Sequence, residues 1–253
     1  MNKRIHEIKR LRVLGVPVDY VNMSLAIRYV EGLLSNNKKG SYILAVNAEK
    51  FMQLQNDLFL KTIFENASLL IPDGVGAIWG IRWRYRLPAK RVPGIELMQN
   101  ICKVAAEKEY RIFIFGSQEE VNKKAAEKLR FIYPGIRIVG SCNGYIRDEE
   151  MEKLINDINR SKADILFVAL GSPKQEKWIK EHISKLNVKI CQGIGGTLDV
   201  LTGEMRRAPA FFRKLPLEWL YRLIADPKRI YRQLIIPRFL FKVFTKKRGT
   251  YPL

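Results

Sequence analysis

Short, continuously apolar runs recur along this chain, with amphipathic segments between them. Tyr42-Ile43-Leu44-Ala45-Val46, Ser68-Leu69-Leu70-Ile71, Arg111-Ile112-Phe113-Ile114-Phe115 and the runs 164–170 and 188–192 are too short for buried helices. They also lack the in–out alternation of a strand with one wet face, so they are expected to be strands covered on both sides. Between them, residues 24–34 set Ile27, Val30 and Leu34 on one helical face, and residues 119–132 align Val121, Ala125, Leu129 and Ile132. Helices are also expected at 95–107, 149–158 and 174–184, and further strands at 11–19 and 136–140. Apolar strands alternating with such helices specify an α/β fold, a Rossmann-like, mostly parallel sheet with helices on both faces.

In open sheets of this kind, ligands bind beyond the carboxyl ends of the strands. The residues that close each apolar run are therefore the candidates for chemistry. Pro72 cannot donate to a ladder, which leaves Asp73 at a strand end, with Gly74 and Gly76 free to turn tightly. Asp73 is either the cap of the helix that follows or a general base. Asn47 closes the neighbouring run, as a turn or capping residue or as a group that touches substrate.

Gly116-Ser117, Gly171-Ser172-Pro173 and Gly193-Ile194-Gly195-Gly196 each follow a strand. They are tight turns or, read functionally, sources of backbone N–H groups for phosphates. Gln175, Glu176 and Asp199 lie just past two of these turns, suited to capping or to hydrogen bonds with a base or ribose. Tyr145 is a packing residue or a stacking platform. Arg91 stands in a loop, Lys90-Arg91-Val92-Pro93-Gly94, ahead of a helix.

Charge narrows the partner. Among 253 residues, 45 Lys and Arg oppose 25 Asp and Glu, a net charge of +20, which favours a polyanion such as nucleic acid, anionic lipid or a phosphorylated substrate. The excess is concentrated after Gly203, where Phe211, Phe212, Trp219, Tyr221, Tyr231, Phe239, Phe241 and Phe244 are interleaved with basic residues. The expected organisation is thus an α/β core over 1–203 and a basic, aromatic appendage over 204–253. Asp226-Pro227 starts a helix there, Pro237 is expected to end it, and the following Phe/Lys-rich run suits an anionic bilayer.

Three widely spaced cysteines and two histidines support neither a disulfide framework nor a metal centre nor a Ser-His-Asp triad, and no metal or other cofactor is expected. No apolar run is long enough to span a membrane, and no signal-peptide core precedes the fold. A cytoplasmic protein, peripheral on the inner face of a membrane, fits these features. No helix-turn-helix, RRM, KH or zinc pattern supports the nucleic-acid alternative.

Taken in order, Asn47, Asp73, Gly171-Ser172-Pro173-Lys174-Gln175-Glu176, Gly193-Ile194-Gly195-Gly196-Thr197-Leu198-Asp199, Arg207-Ala208-Pro209 and Leu217-Glu218-Trp219-Leu220-Tyr221-Arg222 resemble the WecG/TagA/CpsF glycosyltransferase family. The resemblance runs from about Val13 to about Arg238. It implies a metal-independent, inverting transferase that moves a sugar from a UDP-sugar onto a polyprenyl-diphosphate-linked N-acetylglucosamine. By that resemblance Asp73 is the general base, Asn47 orients the acceptor, and Arg222, Arg229 and Arg232 stabilise the departing diphosphate. Arg91, Gln175, Asp199, Gly171, Gly195, Gly196 and Tyr145 would bind substrate. The similarity is greatest to enzymes that build the wall-teichoic-acid linkage unit from UDP-N-acetylmannosamine; related enzymes use UDP-N-acetylmannosaminuronic acid or UDP-glucose. Ala45 departs from some teichoic-acid members, which carry Thr there. Self-association is left open.

Overall fold

The computed structural model describes residues 8–36, 38–205 and 235–245. The N-terminal segment 11–19, expected as one strand, is instead a hairpin of β1 (Arg10–Val13) and β2 (Val16–Asp19). Leu14 and Gly15 both take positive φ, 53° and 79°, the pairing that lets a two-residue turn follow the strand twist. Buried Asp19 anchors the hairpin: it accepts from Arg10 Nε at 2.7 Å and from the Leu70 backbone N–H at 2.7 Å. Arg10 also donates to the carbonyls of Glu65 and Ala67.

The main sheet is wholly parallel. It consists of β3 (Ser41–Val46), β4 (Leu69–Pro72), β5 (Arg111–Gly116), β6 (Arg137–Cys142), β7 (Ile165–Ala169) and β8 (Ile190–Gly193), in the order β4-β3-β8-β7-β5-β6. The helices are α1 (Met23–Ser35), α2 (Ala48–Gln53), α3 (Leu58–Glu65), α4 (Val75–Tyr85), α5 (Gly94–Glu107), α6 (Glu119–Ile132), α7 (Met151–Arg160), α8 (Lys174–His182), α9 (Thr197–Thr202) and α10 (Ile235–Thr245). They cover both faces, as the apolar strands require. On one face Leu44, Val46, Leu166 and Val168 pack with Phe51, Phe64 and Trp178; on the other Ile43, Ile114 and Phe167 pack with Leu97, Met98 and Ile101.

The chain leaves β3 for β4 at one edge and leaves β5 for β6 at the other. The crevice over β8 and β7 lies between those opposed crossovers, where doubly wound sheets bind ligands.

Three local features go beyond or against the sequence reading. Asn22 caps α1, its side chain accepting from Leu25 N–H at 2.9 Å. Residues 58–65, unassigned from sequence, form α3, capped by Asp57. Pro237 does not end a helix; it sits in the first turn of α10, where no intrahelical N–H is required.

Two glycines of α4 give α10 its berth. Phe239 is fully buried, stacks on Phe51 with ring centroids 5.2 Å apart, and lies over Gly76 and Gly80. A Cβ at Gly80 would come within 2.7 Å of Val13 Cγ1 and 3.3 Å of the Phe239 ring. Phe244 closes the contact edge-on to Trp83, centroids 4.6 Å apart. Burying a ring such as Phe239 contributes roughly 1.5–3 kcal/mol.

Candidate active site

Every site residue expected from sequence within the described residues lies at the carboxyl edge of the parallel sheet or just past it. Arg222, Arg229 and Arg232 lie outside the described residues. The others fall into two groups.

The first group sits over β4 and β3. Asp73 follows β4 and is held from both sides of the chain. Its backbone N–H donates to Val46 O at 2.9 Å, fixing it against the end of β3. Its carboxylate does not cap α4, whose cap residue Gly74 offers no side-chain bond. Instead Oδ2 accepts from the Gly94 N–H at 3.2 Å, at the positive end of α5, and Oδ1 accepts from Arg91 Nε at 3.2 Å. An ionised carboxylate has about four acceptor sites, so these two bonds leave room for an incoming hydroxyl. The Asp73 side chain is 29 % exposed and Arg91 26 %, open enough to meet a substrate and ordered enough to aim at it. Asn47 caps α2, its Oδ1 accepting from Lys50 N–H at 2.9 Å. It lies beside Gly74, at which an added Cβ would be 3.8 Å from Asn47 Cβ.

A second group sits over β8, β7 and β5. Gly171 and Gly195 have φ of +72° and +53°, conformations open to glycine at little cost. Gln175, at the start of α8 and buried, spans the two turns. Its backbone N–H donates to Gly171 O, and its Oε1 accepts from Gly195 N–H, both at 2.8 Å. It lies so close over Gly193 that a Cβ there would be 2.9 Å from Gln175 Nε2. Asp199, on α9, turns toward the end of β5 and accepts from Ser117 Oγ at 3.4 Å, while Gly196 beside it is exposed. Tyr145 stands at the end of β6 with 77 % of its surface exposed.

Strands are about 4.8 Å apart, so β4 and β8 place the two groups roughly 10 Å apart across β3. A buried polar chain connects them beneath the edge. Lys50 Nζ is 3.7 Å from Glu176 Oε1, which also accepts from Gln175 Nε2 at 3.5 Å. Among the described residues no group of three or more His, Cys, Asp and Glu side chains is placed to hold a metal ion.

The family model for the glycosyl transferase WecG/TagA/CpsF family matches residues 11–252. The chain belongs to that family. Its relatives include a protein of Staphylococcus aureus strain MRSA252, 34 % identical over 240 residues that cover 94 % of each chain. Another, from Bacillus subtilis strain 168, is 33 % identical over 234 residues, covering 92 % of this chain and 91 % of the relative. Both relatives are named N-acetylglucosaminyldiphosphoundecaprenol N-acetyl-beta-D-mannosaminyltransferase.

Within this glycosyltransferase, sequence patterning located the strand-end residues but missed what lies under them. Glu176, suited from sequence to capping or to a base or ribose, is buried and turned toward Lys50. Gln192 closes the run 188–192, and an amide in a doubly covered strand is itself a signal. Its Nε2 donates to Gly94 O at 3.2 Å, beside Asp73. Among the described residues no helix is long and apolar enough to cross a membrane.

Proposed function

We propose that this glycosyltransferase moves N-acetylmannosamine from UDP-N-acetylmannosamine to undecaprenyl-diphosphate-linked N-acetylglucosamine, with inversion and without a metal, in assembly of the wall-teichoic-acid linkage unit. The observation that carries the reading is the placement of Asp73. A partly exposed carboxylate, oriented by Arg91 and by the first N–H of α5, stands at the same carboxyl edge as the glycine turns, across β3 from them, in a chain whose relatives bear that activity in their names.

In this mechanism an acceptor hydroxyl oxygen attacks the anomeric carbon of the donor while the bond from that carbon to the UDP oxygen breaks on the opposite face. The hydroxyl proton passes to Asp73. Asn47 orients the acceptor, and Arg91 steadies Asp73 and meets a substrate oxygen. The turns at Gly171 and at Gly195-Gly196, with Gln175 and Asp199, receive the UDP-sugar, and Tyr145 flanks it. Negative charge grows on the leaving diphosphate. Arg222, Arg229 and Arg232, in the appendage over 204–253, are assigned to it as preorganised cations.

In this reading the protein works at the inner face of the membrane, where a membrane-linked acceptor would be met. The exposed Phe241 and Phe244 and the basic residues around them supply the contact.

The test is UDP release from a panel of UDP-sugars with a short-chain lipid-diphosphate-N-acetylglucosamine, in EDTA. Turnover is expected with UDP-N-acetylmannosamine and is expected to vanish in Asp73→Asn, which keeps its affinity for UDP. Turnover only with UDP-N-acetylmannosaminuronic acid or UDP-glucose would reassign the donor. Dependence on a divalent ion would remove the metal-independent mechanism.

A further inference from the structure

Gln192 pairs in register with Ile43 of β3 and is 1 % exposed. Its neighbours on that face of the sheet, Ile43, Ile190 and Ile194, are apolar and buried. The amide Nε2 donates to the Gly94 carbonyl at 3.2 Å, while Oε1 is buried without a hydrogen-bond partner. Gly94 opens α5, and its own N–H donates to Asp73 Oδ2 at 3.2 Å. A continuous path therefore runs from the floor of the sheet, through one glycine, to the carboxylate.

For stability alone this is a poor arrangement. One intramolecular hydrogen bond adds little net stability, and a buried amide oxygen without a partner costs at least as much. An apolar side chain of similar size would fill the same space without that cost. A buried polar atom left unpaired in this way points to a role other than packing.

We propose that Gln192 is a positioning residue for sugar transfer: by holding the Gly94 carbonyl it fixes the first turn of α5, and with it the Asp73 carboxylate. The inference rests on Asp73 being the general base. Pro93 gives α5 no side-chain cap, so the end of this helix depends on what meets it from outside. Gln192 meets it from the sheet. Asp73 meets it from the crevice, lying so near the bare face of Gly94 that a Cβ there would be 3.7 Å from Oδ2.

The test compares full-length wild-type protein, Gln192→Met, Gln192→Leu and Asp73→Asn. Displacing a reacting group by about 1 Å can cost on the order of a hundred-fold, so kcat of Gln192→Met is expected to fall about ten- to a hundred-fold. The KM values for donor and acceptor and the affinity for UDP should stay within about two-fold, because Gln192 is buried and offers almost no surface to a substrate. The thermal midpoint should equal or exceed that of the wild type, since the unpaired oxygen is gone. Gln192→Leu should behave alike. A lower midpoint with wild-type kcat per folded molecule would make Gln192 a structural residue and overturn the proposal, as would wild-type kcat at any midpoint. If Asp73→Asn still turns over, the base assignment has failed; if Asp73→Asn is dead while Gln192→Met runs at the wild-type rate, only this inference has.

Discussion

Lys50 Nζ lies 3.7 Å from Glu176 Oε1, and both side chains are buried. The pair ties the first turn of α2, which Asn47 caps, to the first turn of α8, which carries Gln175. The two groups of candidate site residues are thereby held to one another through the interior as well as through the sheet.

Removing one partner of this pair should be far worse than removing both. Lys50→Met leaves Glu176 as an uncompensated buried carboxylate, and loss of one partner from a buried pair typically costs about 3–5 kcal/mol. Lys50→Met/Glu176→Leu should regain most of that stability, because neither charge then pays desolvation. Urea unfolding of the two proteins measures the difference. A double variant no more stable than the single one would mean that the pair is not the reason Lys50 is needed.

Gly193→Ala tests the seat of Gln175. The new methyl group would lie 2.9 Å from Gln175 Nε2 and 3.3 Å from Leu44 Cδ2, so the amide must move away from Gly195 N–H. If that turn receives the donor as proposed, loss of a bond worth about 1–1.5 kcal/mol there corresponds to roughly ten-fold weaker UDP binding. Calorimetric titration with UDP reads this directly, and overpacking should cost about 1–3 kcal/mol of stability as well. Unchanged UDP affinity would separate the glycine turn from the donor site.

Alkaline pH should weaken the fold from about pH 9 upward. Burial pushes the Cys102 thiol and the Tyr42 hydroxyl each up to about 12, and it pushes the Cys191 thiol up as well. These groups stay protonated in the folded chain at pH values where the unfolded chain has already lost its protons. Folded-state pKa values above the unfolded ones give stability that is whole below the unfolded pKa and is lost as pH rises toward the folded one. Each group steepens the loss by up to about 1.4 kcal/mol per pH unit. Chemical denaturation between pH 7 and 10.5 measures the slope, and Cys102→Ala/Cys191→Ala should flatten it near pH 9, where the thiols contribute most.

The sheet was legible because doubly covered strands leave no polar face, and the strand-end positions of Asn47 and Asp73 followed from the same runs. The hairpin was not, because Leu14 carries the chain through a left-handed turn that glycine or asparagine would have signalled more clearly. The local reading of Asp73 as the cap of α4 failed for a long-range reason: its carboxylate turns to the end of α5, about twenty residues further on. Glu176 and Gln192 were hidden for a related cause. A polar residue in a periodic segment reads as exposed or incidental, and only the packing shows that it is buried against a partner from another element.

Docking of α10 is expected to bear on catalysis if the arginines assigned to the departing diphosphate act from the appendage. Phe239 packs over Gly76, three residues past Asp73, so α10 is anchored on the helix that leaves Asp73. Arg222, Arg229 and Arg232 precede α10 in the chain, and Met205, whose N–H donates to Asp199 O at 2.9 Å, precedes them. Gly80→Ala should therefore impair transfer without touching a substrate. Its methyl group would press Val13 at 2.7 Å and Phe239 at 3.3 Å, and a side chain forced into a filled groove costs about 1–3 kcal/mol. Release of α10 should uncover Trp83 from Phe244 and change its fluorescence, while the α/β core keeps its unfolding midpoint within a few degrees. A fall in kcat of about ten-fold or more together with that fluorescence change is the expected outcome, estimated from the cost of misplacing charge around a departing group. A fluorescence change at full kcat would show that the berth on α4 serves the fold alone.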